Sequence, residues 1–163
     1  MYILFTLRVK ELLYCIDWRR ILIYNEYMIK SALIKIKDSK DKESIVFAQG
    51  SVRTEKNAHY IEYETIKEKF VIGISGDIIT VTKIAEDSYT LVLKENKPHN
   101  FDVQTPFGTL SLALYPTEVK YEMHDKGIDV TLHYKLMSVN GDLRDSQDFY
   151  MEINCIYKRN LSL

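Results

Sequence analysis

TPFGTLSLALY, residues 105–115, is the stretch that decides the fold. Its proline fixes one φ angle and pushes the preceding residue toward extended geometry, while its glycine tolerates the positive φ that many turns need. Leu110, Leu112 and Leu114 then alternate with smaller or more polar residues, which is the period of a strand with one buried face. The stretch predicts a turn followed by a strand whose three leucines pack in the interior.

The same alternation continues through most of the chain, interrupted by short turn sequences. Ser75-Gly76-Asp77 and Asp125-Lys126-Gly127 predict hairpins, and Asn140-Gly141 predicts a hairpin connection to a final strand around Asp148 to Tyr157. No convincing long helix interrupts the pattern after Met28. We therefore predict an all-β fold, an antiparallel calycin- or lipocalin-like β-barrel of about eight to ten strands, because closure removes exposed strand edges.

Residues 1–27 have a different pattern of apolar and charged residues from the rest of the chain. Their apolar clusters are broken by charges, show no strand alternation and are too short to span a bilayer. Two interpretations stay open. Either this is an N-terminal extension, helical or disordered, or Met28 is the authentic start, which is the interpretation that we favour. The predicted domains are thus an extension, residues 1–27, and a barrel, residues 28–163.

The composition narrows the choice of partners and compartment. The chain has 163 residues, with 22 basic and 23 acidic side chains scattered along it, so we expect neither a nucleic-acid partner nor a membrane partner. Cys15 and Cys155 are its two cysteines and lie at opposite ends of the chain, which argues against a disulfide scaffold. With no secretion signal in view, the expected compartment is the cytoplasm.

Five short motifs carry a family resemblance. They are MIK at 28–30, YIEYE at 60–64, TPFGT at 105–109, LHYKL at 132–136 and NG at 140–141. Together they resemble the YwiB family of small bacterial proteins, a domain-of-unknown-function family described as calycin-like β-barrels, over residues 28–157. Residues 71–77 depart from the Gly- and Thr-rich pattern of that family. The resemblance implies a lipocalin-related fold and brings no established activity, catalytic residue or ligand.

Motifs that carry chemistry are scarce. The four histidines lack the spacing of a local metal pair, and Asp142, Asp145 and Asp148 lack the spacing, glycine and terminal glutamate of a calcium loop. No nucleophile motif, phosphate-binding loop or dinucleotide fingerprint appears. We therefore predict no catalytic residues, no metal site and no cofactor.

Inward-facing polar side chains are the remaining candidates for a site. A tyrosine in register with aliphatic residues needs a partner for its hydroxyl, and a small wet cavity or a ligand inside the barrel can provide one. His59 shares its register with Ile61 and Tyr63 and could therefore also face the interior. The predicted ligand-binding residues of the barrel interior are His59, Tyr63, Tyr89, Tyr121 and Tyr134.

Three functions are compatible with these observations. The leading hypothesis is a cytoplasmic barrel that binds a small apolar or amphipathic ligand without catalysis. The first alternative is a regulatory or protein-interaction module with a filled barrel, acting through an exposed face or an uncovered strand edge. The second is an enzyme that uses the barrel interior, with His59 or an inner tyrosine as proton donor.

Overall fold

The computed structural model describes residues 27–38 and 45–158. The predicted extension lies outside these residues except for Tyr27, which opens the first strand, so it stays a prediction. Within the described ranges no helix is long and apolar enough to cross a membrane. The elements are β1 Tyr27–Asp38, β2 Ile45–Glu55, β3 Ala58–Glu64, β4 Lys69–Ser75, β5 Ile78–Ile84, β6 Tyr89–Leu93, β7 His99–Thr105, β8 Gly108–His124, β9 Gly127–Ser138, a 3₁₀ turn Leu143–Asp145 and β10 Gln147–Tyr157.

The ten strands form one antiparallel sheet in the order β6-β5-β4-β3-β2-β1-β10-β9-β8-β7. Most neighbours in the sheet are also neighbours in sequence, and β1 pairs with both β2 and β10 to join the two halves. Between the terminal strands β6 and β7 the described chain has two isolated bridges, Ser88 with Gln104 and Lys94 with Lys97, and no continuous ladder. This arrangement is a nearly closed barrel and confirms the predicted all-β antiparallel barrel and its strand number.

Cross-strand pairs of β-branched and leucine side chains fill the barrel. Ile61 of β3 lies opposite Val52 of β2 and Ile72 of β4, and all three side chains are buried. The same layer continues through β1, β10 and β9, where Ile34, Cys155 and other inward residues are also buried. Because alternate residues share a face, the period-two pattern places these side chains in one core.

Local turn chemistry explains the tight hairpins. Gly76 has a φ of 59°, which a glycine adopts without steric cost, and it connects β4 to β5. In the turn between β7 and β8, the Thr105 hydroxyl donates to the Gly108 carbonyl at 2.7 Å and accepts from the Phe107 amide at 3.2 Å. The predicted turn in this stretch is therefore present.

One local expectation is wrong. Leu114 is fully buried, but Leu110 is 53% exposed, because it lies beside the turn at the end of the barrel. The predicted Asn140-Gly141 connection is present and joins β9 to β10. Gly141 donates to the Ser138 carbonyl at 2.8 Å, and the 3₁₀ turn then lengthens the connection before β10 begins. Asp142 caps this turn by accepting from the Arg144 amide.

Cys155 is a core residue with a fully buried side chain. Burial, with a smaller contribution from the Asp129 carboxylate, raises its pKa to about 12. We expect a Cys15→Ser variant, whose one remaining thiol is Cys155, to resist a thiol reagent when folded and to react once unfolded in urea. Between about pH 9 and about pH 12 the unfolded thiol loses a proton that the folded one keeps, so this residue lowers stability as pH rises. Rapid labelling of the folded variant would contradict the assignment.

Candidate ligand site at an open seam

The barrel wall is interrupted between β6 and β7. Ser88 and Gln104 exchange two main-chain hydrogen bonds, of 3.1 and 2.9 Å, at one end of the interruption. At the other end the Lys97 amide donates to the Lys94 carbonyl at 3.0 Å. Between these bridges, in residues 89–93 and 98–103, the strands share no ladder within the described chain. We call this interruption the seam.

Main-chain hydrogen-bonding groups point into the seam from both sides. Ser88 and Gln104 direct their amides and carbonyls across it, and main-chain direction alternates along a strand. The groups of Thr90 and Val92 on β6 and of Asn100 and Asp102 on β7 therefore face the same gap. No residue of the described ranges bonds to these groups on the seam side. The seam thus offers both donors and acceptors to a molecule that enters it.

The seam widens into a groove of about 680 Å³. Tyr89 and Phe101 reach across beneath it, with ring centroids 6.3 Å apart and planes at 64°. Phe101 is buried in the core, so this floor is continuous with the barrel interior. The polar side chains that line the groove carry hydroxyl, amide, imidazole and carboxylate groups and belong to Thr82, Ser88, Thr90, His99, Asn100, Asp102 and Gln104.

A fixed cation lies at one end of the groove. The Lys83 ammonium is 2.8 Å from a carboxylate oxygen of Glu68 and 2.8 Å from one of Asp87, and its side chain is 12% exposed. Burial opposes its charge, but the hydrogen bonds to these carboxylates outweigh burial and raise the pKa of Lys83. The same contact lowers the pKa of Asp87. Lys83 therefore stays charged and is held by two carboxylates rather than being available to an anionic ligand.

Two of the predicted ligand residues pack inside the barrel. Tyr63 stacks on Phe70 with centroids 5.0 Å apart, and Tyr134 stacks on Phe149 at 5.5 Å. Both tyrosines are buried. Tyr63 also borders a separate groove of about 230 Å³ beside β2. Aromatic packing therefore accounts for the inward position of both rings.

The other predicted residues lie apart from one another. His59 is half-buried, its Nδ1 is 3.0 Å from the Thr54 hydroxyl, and burial lowers its pKa. Tyr121 lies opposite the buried Val130 but is itself 40% exposed, so its predicted enclosed position is wrong. The reason is that β8 continues past the last residue that pairs with β7. Among the five predicted residues, only Tyr89 lines the seam groove.

Sequence reasoning missed the outward-facing residues of the seam. Thr90, Asn100 and Asp102 belong to ordinary alternating strands, and no motif distinguishes them. One local signal is Pro98, which has no amide hydrogen and lies where β7 would otherwise continue its pairing with β6. The described residues also contain no group of three or more His, Cys, Asp or Glu side chains arranged to hold a metal ion.

Comparison with known proteins places the chain in a family. The family model described as a domain of unknown function, DUF1934, matches residues 29–150. The chain belongs to this family. The crystal structure of the ywiB protein from Bacillus subtilis resembles this DUF1934 member with a TM-score of 0.67 and 12% sequence identity, over 83% of this chain and 98% of that one. At such identity the likeness concerns the fold alone. No curated protein matches the chain.

Proposed function

We propose that this barrel is a non-enzymatic cytoplasmic protein that binds a small, partly apolar molecule at the seam. The observation that carries the proposal is the combination of main-chain groups open to the seam with an aromatic floor beneath them. Small-molecule sites typically join an apolar lining to a few directed hydrogen-bonding groups. Thr90 and Asn100 contribute such groups from opposite strands, and Phe101 contributes the apolar surface.

Two charged groups that line the groove already bond to neighbouring side chains, which fits binding without catalysis. Lys83 is held between Glu68 and Asp87, and Asp102 accepts a hydrogen bond of 2.6 Å from the Ser111 hydroxyl. A general acid or base has to exchange a proton with its substrate, and the two carboxylates around Lys83 stabilise its charged form instead. The groove therefore supplies orientation and apolar contact rather than proton transfer.

Filling the groove tests the proposal. Asn100 is exposed and lines the groove, so an Asn100→Trp indole is expected to occupy it with little effect on the core. We expect the variant to weaken binding of Nile red, a neutral and partly apolar probe, by at least about tenfold in a fluorescence titration, a difference of about 1.4 kcal/mol. The matched control is Thr131→Trp, on the outer face of β9 and away from the seam.

Native mass spectrometry of the full chain from its native host provides the second measurement. We expect wild-type protein and Thr131→Trp to retain a bound small molecule and Asn100→Trp to lose it. If wild-type protein carries no bound mass and Nile red binds wild type and Asn100→Trp equally, the seam is not a ligand site.

A further inference from the structure

Within residues 27–38 and 45–158, no strand covers the edge of the C-terminal half of β8. β8 has 17 residues and pairs with β9 as far as His124, whereas its pairing with β7 stops at Leu114. After a bulge near Pro116, no strand of the described chain lies on the β7 side of β8. The five side chains of residues 120–124 are all exposed. We call residues 118–124 the β8 edge.

Main-chain groups of alternate residues point out from this edge. The two-residue turn Asp125–Lys126 closes the β8–β9 hairpin, so the flanking pair His124 and Gly127 is hydrogen-bonded. By alternation, Val119, Tyr121 and Met123 direct their amides and carbonyls away from β9. An unpaired row of this kind is a template for another strand.

The side chains of the β8 edge alternate between charged and apolar. On the outer face, Lys120 is 2.6 Å from Glu118, and this contact lowers the pKa of Glu118 and raises that of Lys120. Glu122 lies directly opposite Asp129 of β9, and no described residue forms an ion pair with it. Like charges in directly opposed positions destabilise a sheet. A cation from outside the described chain, placed beside Glu122, would therefore stabilise this part of the sheet.

We propose that the β8 edge binds the same edge of a second copy of this chain, antiparallel and about a two-fold axis at Tyr121. In this register Lys120 faces the second copy's Glu122, and Glu118 faces the second copy's His124. Val119 faces the second copy's Met123 on the inner face. Every outward-directed main-chain residue then meets another one, as an antiparallel ladder requires. The interface is self-complementary, which a two-fold dimer demands.

The charges of the β8 edge favour this register over the registers shifted by two residues, and the main-chain pattern excludes a shift of one. A shift of two residues in one direction places Lys120 against the second copy's Lys120 and Glu118 against its Glu122. The opposite shift places Glu122 against the second copy's Glu122. A shift of one residue opposes inward- and outward-directed main-chain groups and breaks the ladder. Charge complementarity therefore identifies the second copy as the occupant and fixes its alignment.

Pairing also covers apolar surface that the described part of the chain leaves exposed. Tyr121 is 40% exposed and Met123 is 46% exposed, although both lie on the inner face opposite the buried Val130 and Ile128. A second β8 edge would extend the sheet and place apolar neighbours beside both side chains. The exposed aromatic and thioether groups thereby acquire contacts that the barrel alone does not provide.

Charge reversal followed by charge exchange tests the proposal. Glu122→Lys removes a like-charge contact with Asp129, so it should leave the barrel folded, but it places lysines opposite each other twice in the dimer. We expect sedimentation velocity over a concentration series to show a wild-type dimer and at least about tenfold weaker association for Glu122→Lys. The double variant K120E/E122K should restore the dimer. Glu86→Lys, in the exposed turn before β6, is the control with the same charge change.

Each result decides the proposal. Monomeric wild-type protein across the concentration series would overturn it, as would equal association of Glu122→Lys and Glu86→Lys. Failure of the double variant to regain association while it remains folded by circular dichroism would also reject this register. A Tyr121→Pro variant adds an independent arm. It removes one outward-directed amide while leaving the ladder to β9 intact, and it should be monomeric.

Discussion

Gly127→Ala is expected to cost the barrel at least about 3 kcal/mol of unfolding free energy, the upper end for forced insertion into a packed site. A Cβ atom at Gly127 would lie 1.8 Å from the Cys155 carbonyl oxygen and 2.9 Å from its carbonyl carbon. Both are main-chain atoms of β10, which is held on its other side by β1. The clash can be relieved only by moving a central strand, so the cost is large.

A second glycine provides the matched control for this result. A Cβ at Gly141 would meet first the Ser138 hydroxyl, at 2.6 Å, and this exposed side chain can rotate away. We expect Gly141→Ala to change the free energy of unfolding by no more than about 1 kcal/mol in urea titrations followed by circular dichroism. Similar losses for Gly127→Ala and Gly141→Ala would show that the close approach of β9 and β10 does not control stability.

Local chemistry made the strands and most turns predictable. Gly76 adopts a positive φ in a hairpin that its own sequence indicates, and Ile61 faces the core because side chains alternate in every strand. Both properties depend on a few consecutive residues. The fold class therefore follows from the sequence, even though no motif in it carries chemistry.

The depth at which a side chain is buried, by contrast, could not be predicted from the local sequence pattern. Leu110 and Leu114 share a face, and only the second is buried, because burial depends on which distant strands end nearby. Tyr121 shows the same effect at the other end of β8. The period of a sequence specifies the face, whereas the lengths and offsets of neighbouring strands specify the depth. That is why the predicted interior site did not coincide with the seam.

The seam and the β8 edge arise from one mismatch in strand length. β7 has 7 residues and β8 has 17, so β7 cannot cover β8 along its whole length. β6, with 5 residues, is shorter still, and isolated bridges to the β7 side lie just before its first residue and just after its last. Short strands at both ends of the sheet order leave the barrel wall incomplete. The two proposed binding surfaces lie where the strands fail to pair.

Leu114→Ala is the second substitution with a large expected effect, and Leu110→Ala is its counterpart on the same strand. Leu114 lies opposite Leu136 of β9 and His99 of β7, with no exposed surface, so its truncation removes core contacts and leaves a cavity. We expect Leu114→Ala to lose about 2–5 kcal/mol of unfolding free energy. Leu110 is 53% exposed, and its truncation should cost less than about 0.5 kcal/mol.

The comparison between Leu110 and Leu114 distinguishes the sheet face on which a side chain lies from the depth at which it is buried. Urea unfolding of the two variants measures the same chemical deletion at two positions that the sequence pattern treats alike. A difference of at least about 1.5 kcal/mol is expected, since Leu114 pairs with strands on both sides whereas, within the described chain, Leu110 pairs with β7 alone. Equal losses would mean that the end of the barrel near the β7–β8 turn is packed as tightly as its centre. Such a result would contradict the exposure of the Leu110 side chain.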